Sequence, residues 1–365
     1  MSRDLPFLRV GVVQRVLERT GNTSKLVVET EGRQAPAINY DALTGEVAAG
    51  QTVLLNVSAT ALGLGTGGLH LVVANLGRPE SDFQALGRGM KLRYSPLQRP
   101  VQLVEEAFPE ALSTVDGLNG LPVVLAPLHS LAVACIVALH WLRTNVCVAF
   151  IINDSSGLMA GFSDALGRLQ QRQMVASITV GQAFGGDIEA VNVHSGLLAA
   201  KTLLGADVAV VGSTPGHLGT ATRYGFSSLS LAEAANAASL LGATPLLIPR
   251  VSFADARERH LGLSHHTLTI LSFCLRPVVL PFPLLSAEQS IAVSARWRQA
   301  DARHRQVFRD GTFIAEALRD FGGLQSMGRD YAHDPAFFQA AGAAASLSLE
   351  LADGNPFEPK AVSGN

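Results

Sequence analysis

Residues 121–153, LPVVLAPLHSLAVACIVALHWLRTNVCVAFIIN, decide the fold class. Residues 121–128 are a short, almost wholly apolar run, which suits a buried strand. Residues 130–143 are long enough for a helix, and 145–153 return to a β-branched apolar run. Strands without polar alternation are covered on both faces, as in a parallel sheet with helices above and below. Within this region, residues 117–142 carry no Asp, Glu, Lys or Arg and are long enough to cross a bilayer. Pro122, Pro127, His129 and Ser130 interrupt that run, so strand, turn and buried helix is the better reading, and no membrane association is expected.

The same alternation continues towards the C-terminus. Strands are expected at 174–181, 206–212, 244–251 and 277–285, with helices at 161–172, 187–204 and 230–241. Short links between them imply parallel pairing through right-handed crossovers. Ser230 and Glu233 have the spacing of a capping box. Asp187, after Gly185 and Gly186, and Ser130, after His129, suit N-caps. Residues 286–365 read as a helical extension: 287–319 are periodic, 340–351 are small and apolar, and a loose tail begins at Gly354.

Upstream, branched residues cluster at 8–16, 25–30, 53–57 and 70–74, separated by Gly and Asn turns. Short strands at this spacing predict a small β-barrel or sandwich, of which the barrel is the expectation. GLGTGG at 63–68 lacks a following helix and reads as a tight turn. The expected fold is therefore α/β: a small N-terminal β-barrel (1–77), a connector (78–100), a mainly parallel Rossmann-like domain (101–285) and the helical extension (286–365).

Composition narrows the function. The chain has 365 residues, 48% of them hydrophobic and 16% charged, enough apolar material for a large core and too little charge for disorder. A net charge of -2 and no long basic run argue against nucleic acid as a partner. Three cysteines without a CxxC pair predict small core residues in a reducing compartment. No signal-like apolar stretch opens the chain. The expectation is a cytoplasmic protein.

Open parallel sheets bind ligands beyond the carboxyl ends of their strands. In this chain those ends carry His129-Ser130, Asn153-Asp154-Ser155-Ser156, the 181–196 loop, the 212–226 loop, and Arg250 with FADARERHLGLSHHT at 253–267. The last segment is the richest. Imidazoles bind divalent metals or move protons near neutral pH. His260, His265 and His266 are candidate metal ligands, with Asp187 as a possible fourth. His129, Asp154, Asp187, His260, His265 and His266 are the acid, base or ligand candidates. In the 212–226 loop, Gly212, Gly216, Gly219, Thr220 and Thr222 are candidates for an anion cradle, because glycines expose backbone N–H groups. Arg250, Arg257 and Arg259 would neutralise that anion.

KLRYSPLQ (91–98), PLHS (127–130), ITVGQAFGGDIEAVNVHSGLLAAK (178–201), PGHLGT (215–220) and RVSFADARERHLGLSHHTLT (250–269) carry a resemblance. On these motifs the chain resembles a bacterial family classed as a domain of unknown function. The resemblance implies a shared fold and a shared site at these segments, and no particular activity. It leads one to expect a Thr-Asp-Gly-like turn where this chain has Asn153-Asp154-Ser155-Ser156.

Three functions compete. The first is an enzyme acting on a small anionic or phosphorylated molecule by metal-assisted hydrolysis, with a divalent ion as cofactor. The second is a metal-free, nucleotide-binding transferase. The third is a non-catalytic binding or assembly protein. Small-residue helical segments at 232–238 and 340–345 are compatible with a homodimer.

Overall fold

The structure, a computed structural model, describes residues 5–64, 67–80, 82, 86–115 and 117–355. Gly65 and Thr66 of the GLGTGG turn, residues 81 and 83–85 of the connector, and the tail from residue 356 lie outside the described residues. The chain divides into two compact units, Met1–Val101 with Gly161–Gly167, and Gln102–Ala160 with Arg168–Asn365.

The first unit is a barrel. Strands β1 (Leu8–Thr20), β2 (Thr23–Thr30), β3 (Arg33–Tyr40), β4 (Thr52–Asn56) and β5 (His70–Asn75) close in the order β1-β2-β3-β5-β4. The β3–β5 pair is parallel and the others are antiparallel. Short helices α1 (Asp41–Thr44) and α2 (Ser58–Ala61) sit in the connections. Val13, Leu26, Val28, Val53, Leu55 and Val72 fill the interior. Gly11 lets β1 curve over them, since a Cβ there would stand 2.8 Å from Leu55 Cδ1. A two-stranded ladder, β6 (Gly89–Lys91) with β7 (Arg99–Val101), follows.

The second unit opens with α3 (Val104–Ala107) and α4 (Pro109–Ser113) and then alternates. Its chain order is β8 (Pro122–Leu125), α5 (His129–Leu142), β9 (Val148–Asn153), α6 (Asp164–Gln171, which begins in the first unit), β10 (Ala176–Thr179), β11 (Ile188–Glu189) and α7 (Val193–Thr202). Then come β12 (Val208–Ser213), α8 (Leu231–Leu240), β13 (Thr244–Leu247), β14 (Val251–Ser252), β15 (Gly262–Leu263), α9 (His265–Ser272) and β16 (Val279–Pro283). The described chain ends with α10 (Ala287–Trp297), β17 (Arg305–Arg309), α11 (Ile314–Asp320) and α12 (Pro335–Ala352). Eight strands form one sheet, ordered β11-β10-β9-β12-β8-β13-β16-β17, with every neighbouring pair parallel.

Alternate residues separate the two faces of that sheet. Val123, Leu125, Ala149, Ile151, Ala209, Val211 and Leu247 pack with α7 and α8. Leu246, Val279 and Val307 pack with Leu347 of α12. Helix α12 also lies against α5, whose residues 131–139 are all buried. The small residues of α12 and α8 are thus buried inside the unit, so the stripes that suggested a homodimer are covered by intramolecular packing. Cys135, Cys147 and Cys274 are unpaired, and burial pushes the Cys135 and Cys274 thiols up to about 12, as befits small core residues.

Several local expectations give way to tertiary structure. Helix α5 begins at His129 with no side-chain cap, and Ser130 Oγ instead donates to Ser326 Oγ at 2.8 Å. Asp187 caps nothing: it precedes the edge strand β11, and Asn192 caps α7 by accepting from the Ser195 amide. The Ser230–Glu233 box does not form, because Ser230 has helical backbone angles and its hydroxyl donates to the Ser227 carbonyl. The box in this unit's last third joins Ser286 and Gln289. Residues 287–319 are not one helical run, since Arg305–Arg309 pairs with β16 as the outermost strand.

Candidate functional site

The parallel sheet points β8, β9, β10, β12 and β13 the same way, so the segments that follow them share its carboxyl edge. Strand order reverses about β8. The chain leaves β8 towards β9 on one side, returns through β12, and leaves β12 for β13 on the other. A crevice beyond such a reversal is where doubly wound sheets place ligands.

After β13 the chain makes an excursion held by the antiparallel pairs Val251↔Leu263 and Ser252↔Gly262. Gly262, at φ +68°, takes a turn that other residues disfavour. The excursion delivers His260 from a 3-10 turn and ends at the start of α9. Ser264 is the hinge between them. Its Oγ accepts from the His266 amide at 3.2 Å as the N-cap, and sits 2.7 Å from His260 Nδ1. One hydroxyl therefore fixes both the helix start and one imidazole. His265 and His266, the first two residues of α9, splay towards His260, with ring centroids 5.1 Å and 4.8 Å from it.

The three residues offer ligand nitrogens all within 4.8 Å of one another. Among the described residues, Nε2 of His265 and Nε2 of His266 are buried without a hydrogen-bond partner. His260 Nε2 has a long contact, 3.4 Å, from Arg259 Nε. Phe226 stacks on His266 at 3.8 Å, with the rings 5° from parallel, and locks its orientation. Burial pushes His260 down to about 3 and His266 down to about 2, and it lowers His265 as well; neighbouring cations add to each shift. All three imidazoles are thus neutral at pH 7, the form in which histidine binds a metal. Three clustered neutral imidazoles, two of which present a buried Nε2 that no described residue bonds, fit a divalent transition metal.

A fourth histidine joins them from the loop after β12. His217 lies 6.0 Å from His266 by ring centroids, and both its nitrogens are buried without partners among the described residues. Gly219 borders both rings: a Cβ there would stand 3.8 Å from His266 Cε1 and 4.0 Å from His217 Nε2, in ordinary contact with each. PGHLGT (215–220) sets this histidine between two glycines, and no local spacing links it to the other three.

The other candidates are placed as follows. His129 Nδ1 lies 2.9 Å from the Ser213 carbonyl, its ring near Phe150, and burial lowers it to about 4. It ties the start of α5 to the end of β12. Asp154 accepts from the Gln182 amide at 2.8 Å and organises the loop after β10. Asp187 accepts from the Ser177 amide and hydroxyl at 2.8 Å and 2.7 Å, and lines a 370 Å³ cleft with Val146, Val148 and Met174 at the amino ends of β9 and β10. That is the edge opposite the histidines.

In the glycine-rich loop, Gly212 packs under Phe150, and Gly216 approaches the Gly157 backbone. The Leu218, Thr220 and Thr222 amides are satisfied within the loop by Ser227 Oγ, the Gly225 carbonyl and Thr220 Oγ1. Those three amides are committed within the loop. Positive charge concentrates elsewhere: Arg250 donates to Asp255 Oδ2 at 3.1 Å, and Arg257 grips the same carboxylate with Nε and Nη2 at 2.9 Å and 2.8 Å. The Arg257 guanidinium, hydrogen-bonded to Asp255, holds that carboxyl well below the usual carboxylate range.

A family model described as "Protein of unknown function (DUF3866)" matches residues 36–345, and the chain belongs to that family. No curated protein matches. No solved structure matches either.

Proposed function

We propose that this DUF3866 chain is a metal-dependent enzyme, with a divalent transition-metal ion held by His260, His265 and His266, acting by hydrolysis on a small anionic molecule. The observation that carries the reading is the set of three neutral imidazoles from two adjoining elements, with the Nε2 atoms of His265 and His266 buried and unpartnered. Three nitrogen ligands leave an open position, which is the arrangement of catalytic rather than structural zinc sites. A bound ion supplies an ionised water at neutral pH and a Lewis acid for the substrate.

The chain's own residues do the rest. Ser264 orients His260, Phe226 orients His266, and His217 lines the same space from the opposite loop. None of the three ligands carries charge, so a bound dication would keep its full charge beside Arg250 and Arg259. Such a site favours hydroxide and an anionic substrate over a neutral one. In hydrolysis the water oxygen bonds to the electrophilic centre, and the leaving group departs with the electron pair and takes a proton.

The test is metal uptake by the purified, chelator-treated chain. Zinc and cobalt should each bind at one equivalent, and cobalt should give the visible absorption of a low-coordinate nitrogen site. H265A and H266A should each abolish uptake at micromolar metal. A wild-type chain that takes up neither ion would refute the proposal.

A further inference from the structure

Beside the histidines, three guanidinium groups surround fewer carboxylates than they need. Arg250 is 3% exposed, and its Nε makes no hydrogen bond to any described residue. Its Nη2 reaches Asp255, and otherwise only the thioether of Met327 at 3.7 Å. Arg257 Nη2 contacts the same sulfur at 3.8 Å. Arg329 approaches Asp255 at 3.8 Å and Asp334 at 3.4 Å, yet its buried Nε and Nη2 make no hydrogen bond to any described residue. Three cations thus meet two carboxylates, and Asp334 is already engaged by the Ser252 hydroxyl at 2.6 Å.

A methionine sulfur is a weak acceptor. Two charged donors turned towards one, with a buried guanidinium N–H left unmet, are what remains when the preferred acceptor is an oxyanion. Met327 is well placed to yield: it is 48% exposed and has φ +51°, in the turn closed by Ser326 and Arg329. The site adjoins the imidazoles. The Arg250 backbone is bonded to Ser264 and Thr267, and its charge lowers His217, His260, His265 and His266 alike.

We infer that Arg250, Arg257 and Arg329 form an oxyanion subsite with Met327 as its displaceable plug, and that this subsite, not the glycine-rich loop, holds the anionic group of the substrate. The class is a compact oxyanion, a phosphate or a carboxylate. The inference rests on the proposed function only in assigning that anion to a substrate.

The experiment is calorimetric titration of the chelator-treated full-length chain with inorganic phosphate and, separately, with acetate. Phosphate binding would mark a phosphorylated substrate and acetate binding a carboxylate; either supports the subsite. Met327→Ala should tighten binding severalfold, because no plug need move. Arg329→Gln should weaken it about tenfold, the loss of one charge-assisted hydrogen bond. If Arg329→Gln does not fold, Arg257→Gln, whose guanidinium is half exposed, carries the same expectation. No binding of either anion at millimolar concentration by the wild type and Met327→Ala would overturn the inference. So would binding indifferent to both arginine substitutions. Zinc uptake measured on the same variants separates the two ideas: anion binding without metal uptake refutes the metal site alone, and the reverse refutes the subsite alone.

Discussion

At the scale of single residues, burial sets the chemistry. Histidine is useful because its ordinary pKa lies near 6.5, yet here several histidines are held neutral by loss of solvent. That has a cost in acid. His129 stays unprotonated in the folded chain down to about 4, whereas the unfolded chain takes up its proton below about 6.5. The unfolded state therefore binds more protons between those values, and stability falls as pH drops through that window. For His129 alone the slope is about 1.4 kcal/mol per pH unit, and His260 and His266 act in the same direction. Denaturant unfolding of chelator-treated protein should give a flat midpoint from pH 8 to 7 and a steadily lower one from pH 6.5 to 4.5. An unchanged midpoint at pH 5 would show that these imidazoles are already solvated. The residue scale is also where the sequence hid most. The 250–269 segment announced its site by density of titratable groups, but His217, Met327 and Arg329 reach it from distant positions. No local pattern marks a residue that matters only after the chain has folded back.

At the scale of elements, the buried β8-α5-β9 unit was legible because two short apolar strands and a helix-length apolar run, punctuated by Pro127, His129 and Ser130, admit few alternatives. β17 was not. RQVFR buries mainly Val307 and takes its strand identity from pairing with β16, a non-local partner. Asp187 misled for a related reason: an acid after two glycines is a good local cap, but the pairing of Ile178 with Ile188 drew the segment into the sheet edge. Helix α12 shows how tightly the elements then lock. A Cβ on Gly342 would stand 2.8 Å from the Gly311 carbonyl oxygen, against backbone that cannot rotate aside. Alanine is a better helix former than glycine by about 1 kcal/mol, but overpacking costs about 1–3 kcal/mol, so Gly342→Ala should on balance destabilise the chain. Thermal unfolding should show a lower midpoint for Gly342→Ala. A raised midpoint would mean that the helix moves freely and that the close approach is not a constraint.

At the scale of the whole second unit, parallel pairing separates two edges with different duties. The carboxyl edge collects the histidines and arginines from the loops after β12 and β13, and it lies where strand order reverses. At the amino edge, Asp187 bonds Ser177 at the start of β10. Charge sequence alone could not tell these edges apart, because an acid among glycines suits either. The geometry separates them, and substitution should too. Asp187→Asn keeps the size of the side chain but weakens its acceptor bonds to the Ser177 amide and hydroxyl. It should cost about 1 kcal/mol of stability, in line with hydrogen bonds of this kind. It should leave zinc affinity unchanged, since the carboxylate is at the opposite edge from His260, His265 and His266. Zinc should therefore raise the unfolding midpoint of Asp187→Asn by as much as it raises that of the wild type, because ligand stabilisation depends only on affinity and free concentration. A variant that unfolds like the wild type without metal but loses its zinc-dependent shift would place Asp187 in the metal site and overturn this division of the sheet.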